Sequence, residues 1–382
     1  MPEAATLRKS AGWATVAFGD VVKLSKKRSA DPIADGYERY VGLEHIEPGE
    51  LRIRRWGDTA DGVTFTNVFE PGQVLFGKRR AYQRKVAVAD FSGVCSGDIY
   101  VLEPKGDALL PELLPFICQT DAFFEHAVGT SAGSLSPRTN WKSLADFEFA
   151  LPPIEEQLRM ATLLQAIESA VWEHDVSSYS AFALWRSLSH AEFSKRAGSG
   201  SALEDHFMIA SGQVDPKEPE YAKLPLIGPN HIEPERGRVT ELESAEAQKA
   251  ISGKYLYEAG SVLYSKIRPE LRKAAIAPCR GLCSADIYPL TPTKQLRAEY
   301  LLEILLSDSF SRFAISGSMR TGMPKVNRKH LAQFRFDLPS TEGQDQYLDR
   351  VGPLHAAMED IADRRTALTS LKSKAITKMG IA

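Results

Sequence analysis

The chain has 382 residues, 43% of them hydrophobic and 25% charged, with a formal net charge of −2. That is long enough for two domains with cores of their own, yet it holds no run of about 18 apolar residues that could span a membrane and no apolar leader in its opening "MPEAATLRKSAG". Cys95, Cys118, Cys279 and Cys283 are too few for a disulfide framework and lack the second pair a zinc site needs, so a reducing cytoplasm is the expected setting.

In chain order, short β-rich runs come first, "VLFGKRR" (74–80) and "DIYVL" (98–102), bounded by Gly, Pro and Asp. A helical stretch follows over 111–128, "PELLPFICQTDAFFEHAV", with apolar residues at three- and four-residue spacing. A polar loop leads to a closing strand, "FEFALPP" (147–153). Next comes one long helix, from about Glu155 to Arg196, and then "AGSGS" (197–201), which reads as a flexible hinge. The same succession then repeats: "SVLYSKI" (261–267), "DIYPL" (286–290), a helix over 298–315, "FRFDLPS" (334–340) and a second long helix from about Glu342 to Met379. Arg365 and Lys372 interrupt the apolar seam of that second helix, which predicts a less buried far end.

The repetition extends to identity. Residues 72–104 align without a gap to 260–292, and 17 of the 33 positions are identical. "YVGLEHIEP" (40–48) answers "LIGPNHIEP" (226–234), and "SPRTNWKSLADFEFALPP" (136–153) answers "MPKVNRKHLAQFRFDLPS" (323–340). A period of nearly half the chain means two whole domains of one fold, not a solenoid. The expected fold class is α+β: two repeated globular domains separated by two long helices that form an antiparallel, coiled-coil-like pair.

Gly129-Thr130-Ser131-Ala132-Gly133 spells the nucleophile elbow of serine hydrolases. The repeat tests it. The matching positions are Ser316, Ser318 and Arg320, so both glycines are lost. An elbow also needs a strand before the serine and a helix after it, and here the order is a helical run and then a Pro-containing loop. No phosphate loop, dinucleotide fingerprint or H-E-x-x-H appears either. Absence of catalytic motifs in so long a chain favours a binding protein, with no catalytic residue.

Cations cluster at matching places in the two copies. "KRRAYQRK" carries Lys78, Arg79, Arg80, Arg84 and Lys85, and "KIRPELRK" carries Lys266, Arg268, Arg272 and Lys273. Such hairpin tips suit phosphates. A second basic loop precedes each closing strand, with Arg138, Asn140 and Lys142 in one copy and Arg320, Lys325, Asn327, Arg328 and Lys329 in the other. Arg and Asn can read base edges with two hydrogen bonds, whereas Lys mostly holds the backbone. Ser131, Ser134 and Ser136 add short hydroxyls, so the elbow-like stretch reads as part of a nucleic-acid contact loop. Asp98 and Asp286 read as turn ties, and His45 and His231 as hydrogen-bonded turn residues.

The two basic segments, their duplication, and above all "FALPPIEEQLRMATLLQAIE" (149–168) resemble the specificity subunits of type I restriction–modification systems. The likeness covers essentially the whole chain; the second copy keeps Glu342 and Gln344 but lacks the second proline and second glutamate. The resemblance implies target-recognition domains over 1–153 and 198–339 and spacer helices over 154–197 and 340–382. Each domain would read one half of a split, asymmetric DNA site, with the helices setting the spacing. Glu155, Glu156, Gln157, Glu342 and Gln344 would face partners: two methyltransferase subunits using S-adenosylmethionine, and a motor–nuclease subunit using ATP and Mg. A related phage-defence methyltransferase or nuclease system, a scaffold that does not read DNA, and a hydrolase using Ser131 stay open at this point.

Overall fold

The computed structural model describes residues 12–318, 324–378 and 380. Two compact units divide them. One is built from the chain up to Val176 together with the segment from Ala362 onward, the other from Ser177–Ile361.

In the first unit, β1 (Ala14–Ala17), α1 (Phe18–Val21), β2 (Val22–Leu24), β3 (Arg39–Val41), β4 (Gly57–Asp58), β5 (Asn67–Phe69), β6 (Val74–Gly77), β7 (Val86–Val88), β8 (Gly93–Cys95) and β9 (Ile99–Pro104) precede the helices α2 (Leu114–Ile117), α3 (Asp121–Gly129) and α4 (Trp141–Ala145). β10 (Glu148–Leu151) closes the domain and α5 (Ile154–Phe193) leaves it. The strands form sheets in the orders β2-β9-β6-β7, β4-β3-β8-β5 and β1-β10. Alternation along the strands fills two faces at once. Val74, Phe76 and Leu102 point into a core with Phe18, Phe123 and Phe149, while Leu75 and Val101 join a second cluster around Val41 and Phe69.

The second unit repeats this. After β11 (Ala197–Ala202), β12 (Phe207–Ile209), β13 (Leu226–Ile227), β14 (Tyr255–Tyr257), β15 (Val262–Ser265), β16 (Ala274–Ile276), β17 (Gly281–Cys283) and β18 (Ile287–Pro292) come α6 (Ala298–Leu306), α7 (Asp308–Ser316), α8 (Arg328–Leu331), β19 (Arg335–Phe336) and α9 (Thr341–Lys378). Its sheets run β12-β18-β15-β16, β13-β17-β14 and β11-β19. Register repeats as well: Val74 faces Leu102 and Val262 faces Leu290.

Two sequence expectations are corrected. The helical stretch over 111–128 is two helices, because the Thr120 hydroxyl accepts from the Phe123 amide and starts α3 anew; Ser307 does the same for α7. "AGSGS" is no flexible hinge: Ala197–Ala202 is strand β11, paired with β19 across a register shift. Gly198 and Gly200, at φ +88° and +74°, permit that irregularity.

α5 and α9 pack together in both units, and the order of contacts is antiparallel. In the first unit Glu168 meets Lys372 and Asp175 meets Arg365. In the second, Trp185 meets His355 and Phe193 meets Tyr347. The two cations that break the apolar seam are thus part of it. Lys372 keeps only 12% of its side chain exposed and pairs with Glu168, while among the described residues the helix has no buried residue after Met358, the less buried far end that the interrupted seam predicts.

Candidate nucleic-acid interface

The strand pair β6–β7 ends in the turn 78–85, and β15–β16 ends in 266–273. In each, one short 3₁₀ turn (Ala81–Gln83, Pro269–Leu271) is flanked on both sides by an arginine in the left-handed region. The φ angles are 53° and 55° at Arg80 and Arg84, and 51° and 47° at Arg268 and Arg272. Such a backbone costs a non-glycine residue about 1 kcal/mol, and its appearance at matched arginines in both copies ties the strain to function or to a fixed clamp.

Both basic segments meet here. Lys78 O accepts from the Thr139 amide at 3.0 Å and the Arg80 amide donates to Pro137 O at 2.7 Å. Arg79 and Arg138 face each other as an antiparallel bridge. The second unit matches: Val326 donates to Lys266 O at 2.8 Å, Arg268 to Pro324 O at 3.1 Å, and Ile267 bridges Lys325. The loop before the closing strand is therefore sewn to the hairpin tip, and the two sequence clusters form one surface per domain.

Within that surface the cations have different fates. Arg80 and Arg268 are exposed, and among the described residues neither guanidinium has a side-chain partner. Lys78 lies over the Tyr100 ring at 4.6 Å and Lys266 over Tyr288 at 5.0 Å. Partial burial holds both amines below the ordinary lysine range. Lys325 pairs with Asp286 at 3.1 Å. Arg328 lies 5.6 Å from the Tyr288 ring and donates to the Ala210 carbonyl at 2.9 Å. Lys142, Lys329 and Ser134 are exposed. Arg320 lies outside the described residues.

Several candidates serve the fold instead. Arg84 pairs with Asp121 and Arg272 with Asp308, the first residues of α3 and α7, where a carboxylate also favours the helix dipole. Lys85 donates to the Leu43 carbonyl at 2.6 Å and Lys273 to Pro229 O at 2.7 Å. The Asn140 and Asn327 carboxamide oxygens cap α4 and α8 at 2.9 and 2.8 Å, so neither side chain is free to present the donor–acceptor pair an adenine needs. Arg79 spends its fork on Asp98 (3.1 Å) and Ser136 (3.0 Å). Ser131 donates to Ala127 O at 2.7 Å, a hydroxyl that caps a helix end and activates nothing. His45 and His231 each accept from a glycine amide at 3.0 Å, as turn residues do.

The Leu-Pro-Pro-x-x-Glu-Gln stretch is corrected too. Gln157 is 1% exposed, accepts from the Leu110 amide and donates to the Ala108 and Pro152 carbonyls, each at 2.8 Å. Gln344, fully buried, repeats this with Arg297 N, Gln295 O and Pro339 O. These glutamines lock the start of each helix to its own domain and cannot reach a partner. Glu155 and Glu342 are exposed and Glu156 half-exposed. Beside them Leu158 and Leu163 leave 56% and 51% of their surface bare.

Sequence reasoning missed the acids. Asp98 was expected only to tie a turn, a task its amide performs with the Ser96 hydroxyl at 3.2 Å. Its carboxylate instead takes Arg79 and Arg138. Burial alone would raise that carboxyl, but the two arginines outweigh it and hold it below the usual range. The repeated "TDAFF" and "SDSFS" (120–124, 307–311) carried the signal for Asp121 and Asp308. Among the described residues no cluster of His, Cys, Asp and Glu could hold a metal, and no helix is long and apolar enough to cross a membrane.

Residues 11–173 match the family of the type I restriction modification DNA specificity domain. Over 91% of its length the chain is 26% identical to the type I restriction enzyme EcoDI specificity subunit of Escherichia coli, covering 82% of that protein. The type I restriction–modification S subunit of M. genitalium superposes with a TM-score of 0.63 over 98% of this chain and 97% of that one, at 14% identity. A chain solved in work on assembly and conformational transition of the type I R-M system gives 0.52 over 97% and 98%, at 20% identity. These two likenesses speak for the fold alone. Doubled α+β domains on paired helices thus give this chain the fold of the solved S subunit. The chain is similar, in its first 173 residues and along most of its length, to the specificity subunits of type I restriction–modification systems.

Proposed function

We propose that each repeated domain reads one half of a bipartite, asymmetric DNA site, with the surface around Arg80 in the domain over 1–153 and the surface around Arg268 in the domain over 198–339. The helices, over 154–197 and 340–382, set the spacer and dock two methyltransferase subunits. Those partners use S-adenosylmethionine on adenine N6, and a restriction subunit brings ATP and Mg; the complex works in the cytoplasm. The observation that carries this reading is the duplicated left-handed arginine with a free guanidinium, held at one place in both domains at a cost in backbone energy. Exposed Leu158 and Leu163 beside Glu155 and Glu156 supply an apolar patch with a charged rim for a methyltransferase subunit.

Exchanging residues 198–339 for the corresponding domain of another family member, followed by methylome sequencing in cells carrying the cognate methyltransferase, tests it. One half of the methylated sequence changes and the other persists. An unchanged sequence in both halves defeats the reading.

A further inference from the structure

Arg138 is held in an unusual way. Its Nε donates to Asp98 Oδ1 at 2.8 Å, and Nη2 leans on Asp98 Oδ2 at 3.5 Å. The carboxylate therefore grips the side edge of the guanidinium. A guanidinium has five N–H donors in a rigid plane, so side-on capture leaves the end of the fork, Nη1 with the outer Nη2 hydrogen, unused. Half of the side chain, 51%, is exposed. It stands at the base of the loop whose apex, Leu135, is 91% exposed.

Neighbouring groups fix this pose. Asp98 is only 19% exposed and is tied at its amide to Ser96 and at its carbonyl to the Lys78 amide. Arg79, in the turn that follows β6, binds the same carboxylate and has no fork left: Nη1 is on Asp98, Nη2 on Ser136, and Nε is buried without a partner. One arginine thus buttresses the acid, and the acid aims the other arginine. A free fork aimed from a half-buried carboxylate matches the O6 and N7 acceptors of guanine in a major groove, and a group held from behind loses less entropy on binding.

Among its described residues the second domain lacks this arrangement. Ile267 stands where Arg79 is, and Lys325 stands where Arg138 is, with its amine on Asp286 at 3.1 Å. An ammonium is a point charge with no fork.

We infer that Arg138, positioned by Asp98, reads a guanine in the half-site of the first domain, and that the second domain makes no forked contact at the matching place. This rests on the DNA-reading function proposed above. Selection from a pool of random-sequence duplexes with the full-length chain tests both separately. The wild type enriches two separated motifs, one with a guanine preferred about tenfold or more. Arg138→Ala and Arg138→Lys both flatten that one position and leave the other motif intact. Asp98→Asn keeps the side-chain size and weakens the same preference alone. Lys325→Ala changes no guanine preference. If Arg138→Lys selects the same guanine as the wild type, Arg138 is only a phosphate contact and the inference is overturned while DNA reading stands. If the folded wild type enriches no motif, the proposed function fails and this inference with it.

Discussion

Asp175 on α5 accepts from Arg365 on α9, although 190 positions separate them in the chain. Its other oxygen accepts from Arg54 of the loop that follows β3. Burial works to raise the Asp175 carboxyl, but the two guanidinium groups prevail and hold it below the ordinary range.

This pairing makes the first unit acid-sensitive. A carboxyl depressed in the folded state contributes stability that is complete above its unfolded value of about 3.9 and is lost as pH falls through the lower folded value. Urea midpoints measured from neutral pH downward should fall along that limb. Asp175→Asn should start lower at neutral pH and show a flatter acid limb; an unaltered limb would show that Asp175 is not part of it.

Glu303 performs the corresponding task in the second unit by hydrogen bonding. It is 2% exposed and accepts from Trp185 Nε1 at 2.8 Å, Tyr347 Oη at 2.7 Å and His355 Nε2 at 2.7 Å. Removing the carboxylate strands three donors, so Glu303→Ala should cost about 3 kcal/mol or more in denaturant unfolding. Glu303→Gln, which keeps one acceptor, should cost less.

Gln157→Ala and Gln344→Ala should each destabilise their unit by about 2 kcal/mol, because each leaves an orphaned amide and two orphaned carbonyls. A variant that melts like the wild type but fails to assemble would restore these glutamines to the partner surface.

The hairpin cations should separate by experiment. Arg80→Ala should lower the slope of log K against log salt by about 0.9, as loss of one phosphate contact does. Arg80→Gly should do the same while leaving stability unchanged or slightly raised, since glycine carries no penalty at φ 53°. Arg84→Ala should leave the salt slope alone and lower the melting temperature, its charge being spent on Asp121.

Leu158→Asp with Leu163→Asp should abolish co-purification of the methyltransferase subunit without altering the melting temperature, since both side chains are exposed. Retained co-purification would move the docking surface elsewhere.

Repeats and apolar spacing made the fold class readable, and the buried faces of β6 and β15 lie where alternation puts them. Helix breaks at Thr120 and Ser307 were also written in the sequence, as caps inside an apolar run. The site was half-legible. Counting lysines and arginines found the right turns, but charge alone could not separate Arg80 from Arg84 four residues away, because that difference lies in Asp121, 37 residues beyond Arg84. Asp98 was overlooked for the same reason: one carboxylate gathering arginines from two loops is a tertiary fact. Gln157 misled because a motif shared with a family can serve folding as readily as assembly.

The first unit draws its final piece, the stretch from Ala362, from the far end of the chain, and Ala375 and Ile376 pack on its core. During synthesis the ribosome must make all of the second unit before that piece emerges, on the order of ten to forty seconds at usual elongation rates. For that interval the nascent first half exposes the helix face that Lys372 and Arg365 later cover. A chain released early would carry an open apolar flank, which invites chaperones or proteolysis.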